Sequence, residues 1–225
     1  MSFDMNDAEP QKSGEIIPDG TFAKVCLTIR KGGTNGESEI DKELLKASNS
    51  PGSDVLMLDC EFTVAEGPHA RRKFWQMLTV SGGKVDEKGV SIGWKITKST
   101  IRAMIDSALG LNPEDMSEAT KAKRILRGFA DLNGITFVAK IRIEPSSDPR
   151  YGDSNKLDRV ILPTEPEWKK VMDGQDVPAA PSALRRKPTS APTAPAAPAW
   201  SQPQQQAAPA AAAPAATQGP AWLNG

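Results

Sequence analysis

Hydrophobic and polar residues alternate along five stretches of the chain, and this pattern predicts five short β-strands. Within Thr21–Arg30, four apolar side chains share one face, with Phe22, Lys24 and Arg30 on the other. A period of two with β-branched residues is typical of a strand that buries one face. The other predicted strands are Asp54–Val64, Arg71–Val80, Ile135–Ile143 and Leu157–Leu162.

The hydrophobic spacing changes to that of helices between the third and fourth predicted strands. A first helix is predicted from a Thr97 N-cap to Leu109, with Gly110 as its C-terminal cap. A second is predicted from Pro113 to about Leu132, with acids in its first turn. The polar segment 31–53 is predicted to be a long loop, and one helical turn is expected around Trp168.

The composition divides the chain into three parts. Residues 1–17 are polar and predict an N-terminal arm, which Ile16 and Ile17 would pin to the domain formed by residues 18–173. Residues 174–225 are rich in Pro and Ala and offer little to bury, so we predict a disordered tail. Trp222 and Leu223 near its end form an apolar pair, which is either a docking peptide for a partner or an uninformative end.

The order of elements predicts an all-β domain with a helical insertion. Three strands, a helical segment and two strands is the order of an OB-fold, a small five-stranded barrel. That fold binds oligonucleotides across its second and third strands and through the loops after its first and fourth strands. Other five-stranded arrangements with one helical layer remain open.

Charge restricts any nucleic-acid site to a local patch. The formal net charge is zero, but residues 1–177 carry 25 cations against 28 anions. One such patch is Arg71-Arg72-Lys73, three consecutive cations that run directly into Phe74 and Trp75. If Phe74 is in the core, alternation places Trp75 on the outside, where an aromatic ring beside cations suits stacked bases and phosphates. Alternatively, the arm or the helices cover Trp75, and the cations pair with Asp59 and Glu61.

Further candidates for this nucleic-acid site come from neighbouring strands and one loop. The polar faces of the first and fourth strands and the loop after the fourth supply cations and two aromatic rings: Phe22, Lys24, Arg30, Lys140, Arg142, Arg150 and Tyr151. A second basic group, Lys121, Lys123, Arg124 and Arg127, is expected to be a solvated helix face.

The residues needed for catalysis or metal binding are sparse. His69 is the only histidine, the two cysteines are far apart in sequence, and Ser81-Gly82-Gly83-Lys84 does not complete a phosphate loop. We therefore predict no enzyme activity, no cofactor and no metal. No signal peptide precedes the domain and no apolar run approaches about 20 residues, which predicts a cytoplasmic protein without a membrane span.

Four short segments of the chain resemble a family of phage and prophage proteins. They are Met1-Ser2-Phe3-Asp4, Ile17-Pro18-Asp19-Gly20-Thr21-Phe22, the segment from Gly67 to Trp75, and Ile92-Gly93. The family is regarded as similar to single-stranded-DNA-binding proteins, and the resemblance covers roughly residues 1–165. It implies an OB-type fold and a place in phage replication or recombination. The tail also resembles those of bacterial single-stranded-DNA-binding proteins, but it has no acid after Asp176.

The leading hypothesis is therefore a non-catalytic protein that binds single-stranded DNA, with a replication or recombination protein docking on its tail. The alternative is a phage-encoded interaction or inhibitor module that binds another protein. The sequence leaves open whether the chain forms a homo-oligomer.

Overall fold

The computed structural model describes residues 16–148 and 150–180, all within one compact unit, Met1–Arg186. These residues form an antiparallel sheet and several helices. The strands are β1 (Thr21–Arg30), β2 (Leu45–Ala47), β3 (Leu56–Val64), β4 (Lys73–Ser81), β5 (Thr136–Glu144) and β6 (Ser154–Val160). The helices are α1 (Ile92–Leu109), α2 (Glu118–Lys123) and α3 (Pro166–Met172), with 3₁₀ turns at Glu39–Asp41 and Phe129–Leu132.

The five predicted strands are all present, and β2 is an additional one. It lies inside the predicted loop 31–53 and pairs with Leu56–Leu58 of β3. Three residues of β2 are too few for a recognisable alternation, which is why the sequence pattern missed it. The carboxylate of Asp41 also fixes this segment by accepting hydrogen bonds from the backbone N–H groups of Phe129 and Ala130 (3.0 and 2.8 Å).

The strands follow the order β4-β3-β1-β5-β6, and every neighbouring pair is antiparallel. The two ends of this order, β4 and β6, approach each other and run in the same direction. Side chains join them: the Leu157 N–H donates to Gln76 Oε1 (3.1 Å), and Lys156 Nζ donates to the Trp75 carbonyl (2.8 Å). We call this junction the β4–β6 seam.

The main core lies between the inner face of the sheet and α1. Ala23, Val25, Leu27 and Ile29 are buried, as the alternation predicts for β1. Phe62 stacks on Phe74, with ring centroids 5.0 Å apart, and meets Phe137 edge to face at 6.1 Å. Each fully buried side chain of this size contributes about 1.5–3 kcal/mol. Because Phe74 is in the core, the side chains before and after it must point outward.

The first helix begins earlier than the sequence pattern predicts. Its N-cap is Ser91, whose hydroxyl accepts from the Trp94 N–H (3.3 Å) and donates to the Gly82 carbonyl (2.7 Å). Thr97, the predicted cap, is buried within the helix. The predicted end is correct: Leu109 is the last residue, and Gly110 adopts the left-handed conformation (φ 64°) of a C-terminal cap.

The predicted helix from Pro113 to Leu132 is wrong, because only the short α2 and one 3₁₀ turn form there. Tertiary contacts of Arg124 explain the difference. Its guanidinium donates to the carbonyls of Asn112 and Asp115 (2.9 and 2.7 Å) and to the carboxylate of Asp106 in α1 (2.7 Å). Arg124 thus holds the segment before α2 against α1. It is not part of a solvated basic face, whereas Lys121, Lys123 and Arg127 are exposed.

A second, smaller core lies on the other face of β5. Val138, Ile161 and Val171 are buried there, with Phe22 and Trp168 packed against them. The Trp168 indole N–H donates to the Ser107 carbonyl (3.0 Å), which ties α3 to α1. Beyond α3, the Ala180 N–H donates to the Gly20 carbonyl (3.0 Å). No helix within residues 16–148 and 150–180 is long and apolar enough to cross a membrane.

Candidate nucleic-acid interface

Trp75 projects from the outer surface of β4, and 42% of it is exposed. Phe74, its neighbour, is 1% exposed, so the alternation that predicted an outward Trp75 is confirmed. The indole N–H donates to Glu61 Oε2 on β3 (3.0 Å). Met77, two residues further along β4, is 41% exposed. The two side chains leave an apolar surface that is open to solvent, with one edge of the indole held by Glu61.

Two carboxylates of β3 face the same side as Trp75. Glu61 lies opposite Trp75 and Asp59 lies opposite Met77 in the antiparallel register. We call the surface formed by Asp59, Glu61, Lys73, Trp75 and Met77 the Trp75 face. Lys73 Nζ bonds Glu61 (2.7 Å). Asp59, which is 4% exposed, binds Arg30 of β1 (2.7 Å) and Lys46 of β2 (3.1 Å).

The cations keep both carboxylates ionised. Burial alone would raise the pKa of Asp59, but hydrogen bonds from Arg30 and Lys46 outweigh it and lower the pKa below its ordinary value. The hydrogen bond from Lys73, aided by one from the Trp75 indole, lowers the pKa of Glu61 despite its partial burial. Thus the Trp75 ring is exposed, while Arg30, Lys46 and Lys73 are each paired with a carboxylate. A bound phosphate would have to compete with Glu61 for Lys73.

The turn between β3 and β4 carries the other two cations of the basic run. Arg71 has a left-handed backbone (φ 67°), and its N–H donates to the Val64 carbonyl (2.8 Å). Its side chain is exposed and has no ion-pair partner among the residues that the structure describes. Arg72 is half-buried. Arg71 is therefore available to a phosphate at the end of the Trp75 face without losing an internal partner.

A polar groove of about 580 Å³ lies at the loop between β5 and β6. Tyr151 and Arg142 line it, and Tyr151 is 68% exposed. Arg150 pairs with Asp148 (2.7 Å), and its guanidinium carbon lies 5.8 Å from the centroid of the Tyr151 ring. Arg142 pairs with Glu144 (3.0 Å). The groove thus presents one exposed ring and two cations, Arg142 and Lys156, near the end of the sheet.

Lys156 links this groove to the Trp75 face, a connection that the sequence pattern did not predict. It lines the groove, and its Nζ donates to the Trp75 carbonyl across the β4–β6 seam. The predicted fifth strand begins at Leu157, so Lys156 falls in the predicted loop, and the sequence pattern does not show which strand lies beside β6. The two exposed rings, Trp75 and Tyr151, are therefore connected by a cation that only the fold reveals.

Three of the predicted binding residues lie elsewhere. Lys140 is buried, pairs with Asp158 (3.7 Å) and lies 5.7 Å from the Phe22 ring centroid. Phe22 belongs to the small core beneath α3, so neither residue reaches the Trp75 face. The sequence pattern placed them outside because it could not show that α3 covers that surface. Lys24 is mostly buried and is bound to Glu66 (2.9 Å).

Other chemistry within the described residues is limited. Cys26 and Cys60 are both free thiols, and burial, aided by the charge of Asp59, raises the pKa of Cys60 to about 12. No group of three or more His, Cys, Asp or Glu side chains in residues 16–148 and 150–180 is arranged to hold a metal. Trp222 and Leu223 lie outside the described residues. Comparison with protein-family models, curated proteins and solved structures finds no match for the chain.

Proposed function

We propose that this protein binds single-stranded DNA, without catalysing a reaction on it, during replication or recombination of a phage or other mobile element. The observation that carries the proposal is the exposed Trp75 ring on a strand face with cations beside it. Stacking platforms flanked by cations are the usual means of binding single strands without reading sequence.

The proposal includes an OB-type barrel for the domain. Its support is the strand order β4-β3-β1-β5-β6, the position of α1 between β4 and β5, and the side-chain seam between β4 and β6. In an OB-fold, β3 and β4 would be the second and third strands, and the loop holding Tyr151 would follow the fourth. The Trp75 face and the Tyr151 groove would then correspond to two of the three places where OB-folds bind oligonucleotides.

In this proposal one base stacks on Trp75 and another on Tyr151, each contributing about 1–3 kcal/mol. Phosphates run along the cations between and beyond the rings: Arg71, Arg72, Lys73, Arg142 and Lys156. Arg30 and Arg150 flank this path while bound to Asp59 and Asp148. Lys24, Phe22 and Lys140 drop out of the proposed path because the fold commits them elsewhere.

A titration of fluorescein-labelled oligo-dT, followed by anisotropy at low salt, tests the proposal. Trp75→Ala should weaken binding by about fivefold to 150-fold, the equivalent of one stacked base at about 1–3 kcal/mol. Ile125→Ala, which removes an exposed apolar side chain outside the Trp75 face and the Tyr151 groove, should leave binding unchanged. Absence of binding by the unaltered chain, or equal binding by the Trp75→Ala variant, would falsify the proposal.

An interaction module for another protein is the second candidate, and Met77 is the observation that favours it. Trp, Met and Arg are enriched in protein interfaces, and an exposed methionine beside Trp75 fits that composition. The Met77→Lys substitution separates the two functions. It adds a cation to the path of a phosphate backbone, so DNA binding should persist or tighten, whereas an apolar protein contact should be lost.

A further inference from the structure

A larger groove, of about 1250 Å³, lies between α1, the segment 35–41 and the residues that follow α2. No residue of the Trp75 face or of the Tyr151 groove lines it. We propose that this groove binds an acidic amphipathic peptide from a partner protein. The proposal goes beyond binding of single-stranded DNA and does not depend on it.

The floor of the groove is apolar and concave. Ile101 and Ile105 of α1 form part of it, together with Trp94, Leu126 and Phe129. Met116 stands at its margin and is 55% exposed. The rings of Trp94 and Phe129 pack edge to face, with centroids 5.9 Å apart, and both are half-buried. Such a floor accepts apolar side chains, whereas a base needs the open face of a ring, as at Trp75.

The rim of the groove is basic. Lys95, Lys98, Lys121 and Arg127 all line it. The carboxylates that pair with three of them, Asp86, Glu118 and Asp131, lie outside the lining. Lys98 has no ion-pair partner within the described part of the chain. Cations over an apolar floor are complementary to a peptide that carries apolar anchors flanked by Asp or Glu.

Two other occupants fit less well. A polyphosphate backbone carries a charge at every nucleotide, including opposite Glu37 in the groove, whereas a peptide can place an uncharged residue there and fill the apolar floor with its side chains. The chain's own residues 178–225 contain no Asp or Glu, so they offer no charge that complements the basic rim. The charge pattern therefore favours a segment of another protein.

The test uses the full chain and a fluorescein-labelled helical peptide of about 15 residues with Leu or Phe at helical anchor spacing and Asp or Glu elsewhere. Anisotropy at low salt should show binding of this peptide and at least tenfold weaker binding of two control peptides. One control replaces its acids by Lys, and the other replaces its apolar residues by Ser. Lys98→Glu and Met116→Asp should each weaken binding of the acidic peptide about tenfold. Lys123→Glu, a matched reversal on the exposed side of α2 outside the groove, should not.

Three results would overturn the inference. The first is that the acidic peptide binds no better than its controls. The second is that Lys98→Glu weakens binding of oligo-dT as much as binding of the peptide, which would make the groove part of a DNA path. The third is that an unlabelled peptide of residues 211–225 displaces the labelled acidic peptide, which would assign the groove to the chain's own tail. Lys98 and Met116 are both exposed, so we expect both variants to fold and a loss of peptide binding to reflect the groove itself. Oligo-dT binding by the same variants distinguishes failure here from failure of the proposed DNA function.

Discussion

Glu61 is the residue that most directly sets the properties of the Trp75 face. It accepts hydrogen bonds from both Lys73 Nζ and the Trp75 indole, so it positions the ring and neutralises the nearest cation at the same time. A carboxylate at this position also repels phosphate. Glu61 therefore limits affinity for a nucleic acid while it keeps the exposed ring in place.

Glu61→Gln should tighten binding of oligo-dT. The amide can still accept from the indole, but it frees Lys73 for a phosphate, a gain on the scale of one exposed ion pair, about 1 kcal/mol or roughly fivefold. Anisotropy titration at fixed salt measures it. Glu118→Gln, which removes an exposed, ion-paired carboxylate from α2, is the matched control and should have no effect. Weaker binding by Glu61→Gln would show that holding the ring matters more than releasing the lysine.

Asp59 should make stability depend on pH. Hydrogen bonds from Arg30 and Lys46 lower its pKa in the folded state, so its contribution is present above the unfolded-state pKa and is lost as pH falls through the lowered value. Asp59→Asn should reduce the free energy of unfolding by about 1–2 kcal/mol at pH 7. The difference from the unaltered chain should begin to shrink below about pH 4, where the carboxyl of the unfolded chain takes up a proton, and should disappear only below the lowered pKa of the folded state.

Urea unfolding at pH 7 and pH 3 checks this prediction. Glu114→Gln, at an exposed position, controls for the loss of one negative charge and should change stability by less than about 0.5 kcal/mol. A difference for Asp59→Asn that is the same at both pH values would mean that its ion pairs do not contribute.

At the scale of elements, the segment between α1 and α2 depends on one side chain. Arg124 binds Asp106, which is 1% exposed, and also two backbone carbonyls of residues 112 and 115. Arg102 supports the same segment by donating to the Pro113 carbonyl (2.7 Å). The short α2 is thus held by contacts with α1 rather than by its own helical propensity, as expected for a helix of this length.

Arg124→Ala should destabilise the domain by about 3 kcal/mol. Among the described residues, the substitution leaves the buried Asp106 carboxylate with only the longer contact to Arg102 (3.7 Å). Thermal or urea unfolding measures the loss. Lys121→Ala, on the exposed side of the same helix, should cost less than about 0.5 kcal/mol. Equal effects of the two substitutions would contradict the structural role assigned to Arg124.

The sequence predicted elements well where one face of a strand meets the core and poorly where distant residues decide the structure. The bounds of β1 and the end of α1 follow from alternation and from a glycine cap. The failed second helix, by contrast, depends on Arg124 reaching back to residues 106–115. The exposure of Trp75 follows from its neighbour Phe74, but its pairing with Glu61 needs the hairpin register, and its link to Lys156 needs the order of strands.

At the scale of the whole molecule, the cations of the proposed DNA path stand in a chain with no net charge. Long-range attraction of a polyanion is therefore weak, and binding depends on local contacts. The salt dependence of binding counts those contacts, because each phosphate neutralised on a single strand contributes about −0.7 to the slope of log K against log salt concentration.

If the five cations of the proposed path all contact phosphates, that slope should be about −3.5. Arg71→Met should make it less negative by about 0.7, because Arg71 has no ion pair to exchange among residues 16–148 and 150–180. Titrations of oligo-dT across a series of NaCl concentrations measure both values. Lys88→Met, in the exposed turn before α1, serves as control and should leave the slope unchanged. A slope near zero would exclude phosphate contacts as the source of affinity.

The β4–β6 seam has a further consequence for how copies of this chain behave at high concentration. The outer edge of a terminal strand offers unpaired N–H and C=O groups, onto which a strand of another molecule can add. Here the Lys156 ammonium donates to the Trp75 carbonyl, and Gln76 Oε1 accepts from the Leu157 N–H. Part of each strand edge is therefore already hydrogen-bonded within one chain. The same lysine that joins the two proposed binding sites thereby protects the sheet against strand-to-strand aggregation.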